Sequence, residues 1–239
     1  MRRGLTGRWL AFVGDSSMQE QTKLAMYSLG IEQNTSMEFE VGKCHQYRMV
    51  DTGLGYPGME GMRLSHFWAG GPRVCDAWIG VNTWLDADFI AKLSTRLTFG
   101  GTPDFLIFNS GLHDRGRPLT QYAKGIETAF TILRRIVGPK CLLVWKSTLA
   151  STIEALAEYE EFNAIALGLL QRFAADGPVA TIDQFALTLP KFIFGAGSAN
   201  PNHCSDASPV DVGCVSMSSA ISVLLNDGPE SGNAPVEAA

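Results

Sequence analysis

WLAFVGDS, residues 9–16, joins five apolar residues to a glycine, an aspartate and a serine. An apolar run followed by glycine is typical of a buried strand that ends in a sharp turn. Such a turn presents Ser16 at the edge of a sheet, although Ser and Asp are also common helix caps. A serine so placed attacks an acyl carbon only when a base takes its proton. The chain supplies a late histidine, His203, that could serve.

Apolar runs recur along the chain and alternate with helical patterns. The predicted strands are 9–13, 62–68, 105–108, 141–145 and 179–182. Apolar residues spaced by three and four predict helices over 121–137 and 153–175, and a first helix runs from Ser17 to Gly30. This alternation predicts the α/β class: a single three-layer domain with a mostly parallel central sheet flanked by helices.

Length and composition set the domain organisation. The 239 residues, 46% hydrophobic and 18% charged, suffice for one core. We expect a catalytic domain over residues 1–226 and a disordered tail over 227–239, where large apolar residues are few. Residues 32–61 are rich in glycine and polar side chains, which predicts a long loop or a short irregular hairpin over the active face.

Charge and cysteine usage exclude several classes of protein. A net charge of -5 with scattered Lys and Arg leaves no basic patch for nucleic acid. The five cysteines lack metal-site spacing; Cys141 is expected to be buried, and Cys204 could pair with Cys214 in an oxidising compartment or stay reduced. No run is long enough for a membrane span, so the chain is expected to be soluble as written. Whether an upstream targeting segment precedes it stays open.

Two further polar blocks follow predicted strands. FNSGLHD, residues 108–114, offers Asn109 and His113 as hydrogen-bond donors and Asp114 as an orienting carboxylate, because ligands bind at the carboxyl edge of such sheets. An ordinary polar turn is the alternative. NPNHCSD, residues 200–206, places His203 in a loop after the last strand, where a surface histidine is the alternative.

The order of serine, donor block and histidine, each after a strand of one array, resembles the SGNH (GDSL-like) hydrolase superfamily. Residues 111–114, GLHD, are similar to its G-x-N-D block, with His113 where asparagine is usual. That substitution, with Asn109 and Ser110 before it, resembles the PC-esterase branch of trichome-birefringence-like O-acetyltransferases and related acyl esterases. The resemblance covers residues 9–225 and implies a flavodoxin-like SGNH hydrolase fold.

The same resemblance implies catalytic roles. Ser16 would be the nucleophile and His203 the base. The family has aspartate three residues before its histidine, but this chain has Asn200. Asp206 is therefore taken as the acid on proximity, with two other aspartates, Asp183 and Asp211, left as alternatives.

Oxyanion and substrate binding would fall to four residues of the donor block: Asn109, Gly111, His113 and Asp114. The mechanism requires neither a metal ion nor an organic cofactor. The expected substrate is a small-molecule or glycan acyl ester, and protein partners are unknown. Whether the acyl group passes to water or to a sugar hydroxyl stays open.

Two departures keep a second function in view. Asn200 removes a charge from behind the histidine, and Gln19 stands where related sequences often have arginine. Both favour a catalytically weak or inactive protein of this fold that binds a glycan or a protein. Trp68, Trp78 and Trp84 are either sugar-stacking platforms or core residues, and the core is the commoner place for them. Only family analogy suggests a secretory or extracellular location.

Overall fold

The computed structural model describes residues 6–15, 17–18, 21–22, 38–41, 46–51, 61–68, 80–150 and 153–193. Several predictions concern positions outside these ranges: Ser16, Gln19, Gly30, Trp78, Asn200, His203, Cys204, Asp206, Asp211, Cys214 and the tail 227–239.

The described residues form seven strands, four α-helices and three short 3-10 helices. The strands are β1 Trp9–Gly14, β2 Glu38–Val41, β3 Gln46–Asp51, β4 Arg63–Trp68, β5 Phe105–Phe108, β6 Leu142–Lys146 and β7 Val179–Ile182. The α-helices are α1 Ala87–Thr98, α2 Leu119–Val137, α3 Leu156–Arg172 and α4 Gln184–Ile193. The 3-10 helices are Gly80–Leu85, Ile153–Ala155 and Phe173–Asp176. Residues 17–18 and 21–22 are also helical.

The strands form one sheet in the order β2-β3-β4-β1-β5-β6-β7. Strands β4, β1, β5, β6 and β7 are mutually parallel, while β2 and β3 are antiparallel and extend the β4 edge. The mostly parallel sheet predicted from the sequence is confirmed. Within residues 32–61 the described residues form β2 and β3, an antiparallel pair that extends the sheet beside β4; the predicted cover over the active face falls partly outside the described residues and stays a prediction.

Both faces of the central strands β1, β5 and β6 are buried, as a sheet with helices on both sides requires. On one face, Val13, Phe108 and Trp145 join a core with side chains from α1, α2 and α3. Alternate residues of the strands, such as Phe12 and Ile107, are equally buried but belong to the other face. The helical residues after β1 cover that face, since a side chain at Gly14 would run into Met18.

Two local features fix the helices beside the sheet. The Asp86 carboxylate caps α1 by accepting from the backbone N–H of Asp88 and Phe89 at 2.9 and 3.2 Å. The Arg134 guanidinium, at the end of α2, donates to the backbone carbonyls of Gly138, Cys141 and Pro178. This side chain therefore ties α2 to the starts of β6 and β7.

No helix in the described part of the chain has the length and apolar character to cross a lipid bilayer.

Cys141, predicted to be buried, is 1% exposed, and burial raises the pKa of its thiol to about 12.

Candidate active site

Three residues form a row across neighbouring strands at the carboxyl edge of the sheet. Val13 pairs with Phe108, and Phe108 pairs with Trp145. The three residues of the row, Gly14, Asn109 and Lys146, directly follow Val13, Phe108 and Trp145 in the sequence. Because side chains alternate along a strand, this row faces the side opposite the aromatic core.

The turn after β1 is closed by Asp15, which is buried. Its Oδ1 accepts from the backbone N–H of Ser17 at 2.9 Å and from the Ser17 hydroxyl at 2.7 Å. Its Oδ2 has no hydrogen-bond partner among the described residues. Asp15 therefore performs the capping that the sequence also allowed for Ser16, and the helical residues begin directly after position 16.

Asn109 lies over Gly14 in the middle of the row. Its backbone N–H donates to the Val13 carbonyl at 3.1 Å, which continues the β1–β5 ladder by one residue. A Cβ atom at Gly14 would collide with the Asn109 amide, so glycine is required there by close approach. The Asn109 side chain is 1% exposed, and neither its Oδ1 nor its Nδ2 has a partner in the described part of the structure.

Lys146 completes the row and has no exposed surface. Its Nζ donates to Gln21 Oε1 at 2.8 Å and to the Ser17 hydroxyl at 3.4 Å, which connects β6 to the helical residues after β1. Burial lowers the pKa of Lys146 to about 8, while the Asp15 carboxylate acts in the opposite direction. The Gln21 Nε2 has no partner among the described residues.

We call Asp15, Gln21 and Asn109 the open cluster, because each has a buried polar atom without a partner. In native proteins most buried polar groups are hydrogen-bonded, so unpartnered ones require an explanation. Asp15 and Gln21 follow β1, and Asn109 lies against Gly14 at the end of that strand. Unpartnered buried atoms also occur, among the described residues, on His66, Trp84, Arg134, Trp145 and Gln184.

A second polar group, the saturated cluster of Ser110, Asp114, Tyr122 and Thr148, begins at the residue that follows Asn109. The Ser110 carbonyl accepts from the Tyr122 and Thr148 hydroxyls at 3.1 and 3.0 Å. The Ser110 hydroxyl donates to Asp114 Oδ2 at 2.9 Å. These bonds hold the segment after β5 rigidly.

Asp114 is the centre of that cluster. Its Oδ1 accepts from the backbone N–H of Val81 at 3.0 Å and from Arg117 Nε at 2.8 Å. Burial raises the pKa of Asp114, and the bonds from Val81, Ser110 and Arg117 oppose that shift. A Cβ atom at Gly80, whose φ is +61°, would collide with the carboxylate. Asp114 therefore holds the neighbouring segments together, and both of its carboxylate oxygens are used in doing so.

The other predicted residues of the block differ in exposure. His113 is exposed at the same edge of the sheet. Gly111, with a φ of +144°, is buried, and a Cβ atom there would collide with the Thr148 hydroxyl. Asn109 is the fourth residue predicted in this block, and its side chain lies against Gly14 at the end of β1. Ser16, His203 and Asp206 are outside the described residues, so their convergence stays a prediction.

Two remaining candidates, Asp183 and Trp84, contribute to the fold: one caps a helix and the other packs in the core. Asp183, an alternative to Asp206, accepts from the Ser147 hydroxyl at 3.1 Å and from the Ala186 N–H at 3.0 Å, and so caps α4. Trp84 is a core residue and is 1% exposed.

The burial of the Lys146 cation was not predicted from the sequence. Lysine at the end of a strand normally indicates solvent, and the sequence holds no local signal for Lys146 beyond its place after the run 142–145. The residues that bury it, Ser17 and Gln21, lie more than a hundred positions earlier in the chain.

Solved structures share this architecture. The catalytic domain of peptidoglycan O-acetyltransferase A from Streptococcus pneumoniae aligns at a TM-score of 0.53 and 10% identity over 94% of this chain and 96% of its own. A carbohydrate esterase family 3 protein from Talaromyces cellulolyticus aligns at 0.52 and 13% identity, over 92% and 99%. An acetylxylan esterase from Geobacillus stearothermophilus aligns at 0.51 and 12%, over 94% and 96%.

No protein-family model and no curated protein sequence matches the chain. TM-scores of 0.51–0.53 show a shared fold, and identities of 10–13% leave the PC-esterase branch a prediction. The chain therefore shares the α/β fold of these three proteins, with the mostly parallel sheet flanked by helices that its sequence predicted, and the SGNH hydrolase superfamily stays what the sequence resembles.

Proposed function

We propose that this chain is a serine-dependent acyl ester hydrolase or O-acetyltransferase that acts through an acyl-enzyme on Ser16. His203 is the general base and then the general acid, and Asp206 is the carboxylate behind it. The observation that carries the proposal is the Asn109 amide, buried beside the β1 turn with both polar atoms unpartnered among the described residues.

The β1 turn suits a nucleophile at position 16. Asp15 already caps the helical residues that begin at Ser17, so capping needs no contribution from the Ser16 hydroxyl. Free backbone N–H groups at a helix start carry partial positive charge. A negative charge that develops beside position 16 is stabilised there.

The donor block supports the oxyanion on the other side. The Asn109 Nδ2 is the side-chain donor, and the saturated cluster holds its backbone through Ser110 and Asp114. A donor fixed before the reaction costs no reorganisation when charge appears. The exposed His113 contacts the leaving group or the sugar, Gly111 allows the close turn, and Asp114 orients the block.

The chemistry needs no group beyond the chain and its substrates. Ser16 Oγ bonds to the acyl carbon while its proton passes to His203, and the tetrahedral oxyanion collapses as the alcohol leaves with that proton. In the second half, water or a sugar hydroxyl gives its proton to His203 and attacks the acyl-enzyme. The bond between Ser16 Oγ and the acyl carbon then breaks, Ser16 takes the proton from His203, and either acetate or a new acetyl ester is released.

A carbohydrate acetyl ester is the proposed substrate class. The three similar structures are named as a peptidoglycan O-acetyltransferase, a carbohydrate esterase and an acetylxylan esterase. They favour acetyl groups on sugars for this chain.

The decisive experiment measures p-nitrophenyl acetate turnover by the wild type, Ser16→Ala and the matched control Ser94→Ala, which lies on α1 away from the row. We expect Ser16→Ala to lower kcat by at least about 10³-fold, since the nucleophile is lost, and Ser94→Ala to leave it unchanged. Equal rates for Ser16→Ala and wild type would eliminate the serine mechanism and favour the glycan- or protein-binding alternative. Repeating the assay with acetylated xylo-oligosaccharides, with and without a sugar acceptor, separates hydrolysis from transfer.

A further inference from the structure

The geometry points to Lys146 as a positioning residue for the Ser16 reaction: its buried ammonium holds the residues that flank Ser16 and offsets the charge of Asp15 there. This inference rests on the proposed function and assigns a role to a residue outside the predicted triad and donor block.

The first support is the completeness of the burial. Lys146 has no exposed surface, yet a cation removed from water is costly unless it is paired and hydrogen-bonded. Its side chain extends from β6 across the β5 position, where Asn109 lies, to reach the helical residues after β1. An apolar side chain would fill this space without that penalty, so the cation calls for a function.

The second support is the chain of contacts around position 16. Lys146 Nζ donates to the Ser17 hydroxyl, and the Ser17 hydroxyl donates to Asp15 Oδ1. Gln21, four residues beyond Ser17, accepts from the same ammonium at 2.8 Å. Both neighbours of Ser16 are therefore linked to Lys146, and a shift of the ammonium displaces the turn.

The third support is electrostatic. The Asp15 carboxylate is buried, and Oδ2 has no partner in the described residues. An uncompensated carboxylate would repel the oxyanion that forms beside position 16, because charges interact strongly in a low-dielectric interior. A protonated Lys146 balances Asp15, so the oxyanion meets a pair with no net charge.

Other ionisable groups on the neighbouring elements are placed differently. Asp114, after β5, is bonded to Val81, Ser110 and Arg117, and Asp183, after β7, is exposed and caps α4. Tyr122 on α2 has a pKa raised well above its ordinary value by burial. Among the described groups, Asp15 is the charge that acts on Lys146.

The direction of the pH effect follows. Burial lowers the pKa of Lys146 to about 8, so its charge disappears as the pH passes through that value. Loss of the cation leaves Asp15 uncompensated. The kcat of the wild type should therefore fall on the alkaline side, with a midpoint near the pKa of Lys146.

The test measures kcat and KM on p-nitrophenyl acetate from pH 6 to 10, after subtraction of the uncatalysed rate. The variants are Lys146→Met and a charge-matched control, Lys124→Met, on an exposed position of α2. We expect Lys146→Met to lower kcat about tenfold, or about 1.4 kcal/mol, to leave KM within about twofold, and to lack the alkaline fall. Lys124→Met should match the wild type. An unchanged kcat and the same alkaline fall in Lys146→Met would overturn the inference.

A second variant keeps the test decisive if Lys146→Met does not fold. Gln21→Met removes the closest acceptor of the ammonium, so the alkaline fall should move to lower pH. An alkaline fall that does not move, or its absence from the wild type, would overturn the role of Lys146. Ser16→Ala separates the two proposals: turnover that survives it overturns the proposed function, whereas Ser16-dependent turnover indifferent to Lys146 overturns this inference alone.

Discussion

The open and saturated clusters lie side by side at one edge of the sheet, and both are buried. In the saturated cluster Asp114 uses both carboxylate oxygens, and the Ser110 carbonyl accepts two hydroxyls. In the open cluster Asp15 uses one oxygen, and Asn109 uses neither atom of its amide. A satisfied buried group stabilises the fold, whereas an unsatisfied one costs stability and requires an explanation, of which a catalytic role is one. In the proposed function, the saturated cluster holds the site and the open cluster faces the reacting groups.

Two asparagines give the sharpest form of this contrast. Asn163 on α3 uses both ends of its amide, accepting from the Thr148 N–H at 2.7 Å and donating to the Thr148 carbonyl at 3.0 Å. Asn109 makes neither kind of bond with the described residues. The same truncation at the two positions should affect different properties.

The largest effect is expected for Asn109→Ala. If its amide stabilises the oxyanion, kcat should fall by about 10²–10³-fold. The free energy of unfolding should change by less than about 1 kcal/mol, because no hydrogen bond is lost. Steady-state kinetics and urea denaturation of the same preparation measure both quantities.

Asn163→Ala is the matched control for that variant. It should cost about 2 kcal/mol of stability, because it leaves two backbone groups of Thr148 without partners, and the folded protein should retain kcat within about twofold. A variant of Asn109 that loses stability and keeps its kcat would reverse the assignment of the two clusters.

The next effect compares two buried carboxylates. Asp114→Asn should lower the free energy of unfolding by about 3 kcal/mol, since the amide cannot accept all the bonds from Val81, Ser110 and Arg117. Asp15→Asn should cost less, about 1–2 kcal/mol, because asparagine is an equally good helix cap and because Lys146, whose pKa is already lowered to about 8, can release its proton once the carboxylate is gone. Urea midpoints at one pH measure the difference. Equal losses would show that the two aspartates do the same structural work.

The smallest effect is a pH dependence of stability that comes from Lys146. Its pKa is about 8 in the folded protein and near 10.5 when exposed, so between these values the unfolded chain binds more protons. The wild type should therefore gain stability relative to Lys146→Met as the pH rises from 8 to 10, on the order of 2 kcal/mol. Below pH 8 the difference should be constant. Urea denaturation at four pH values measures it, and a flat difference throughout would mean that Lys146 is not desolvated.

Much of the sheet could be predicted because buried parallel strands are continuous apolar runs. Strands β5 and β7 match the predicted bounds, and β4 begins one residue later than predicted. Strands β1 and β6 end one residue beyond the apolar run, at Gly14 and Lys146, because backbone pairing continues where side-chain character changes. Helix α1 was not predicted, although Asp86 and the apolar spacing of Phe89 and Leu93 mark it.

The candidate site was predictable only in part. Asn109 follows from its place after a strand, but the sequence does not distinguish its unpartnered amide from the bonded carboxylate of Asp114. That difference depends on Val81 and Arg117, which the fold brings together. The burial of Lys146 likewise depends on distant residues. Sequence pattern locates the edge of the sheet, and tertiary contacts decide which polar groups there remain unused.

The central place of β1 also affects how the chain is made. Leu10 pairs with Phe105 on one side, and Trp9 pairs with Arg63 on the other. Synthesis begins at the amino terminus, so this apolar segment emerges long before either neighbouring strand exists. Pairing between strands that are distant in sequence is slow, and it leaves apolar surface and unpaired strand edges exposed until the partners form. The strand that leads to the proposed nucleophile therefore stays unpaired until residues 63–68 and 105–108 have been synthesised.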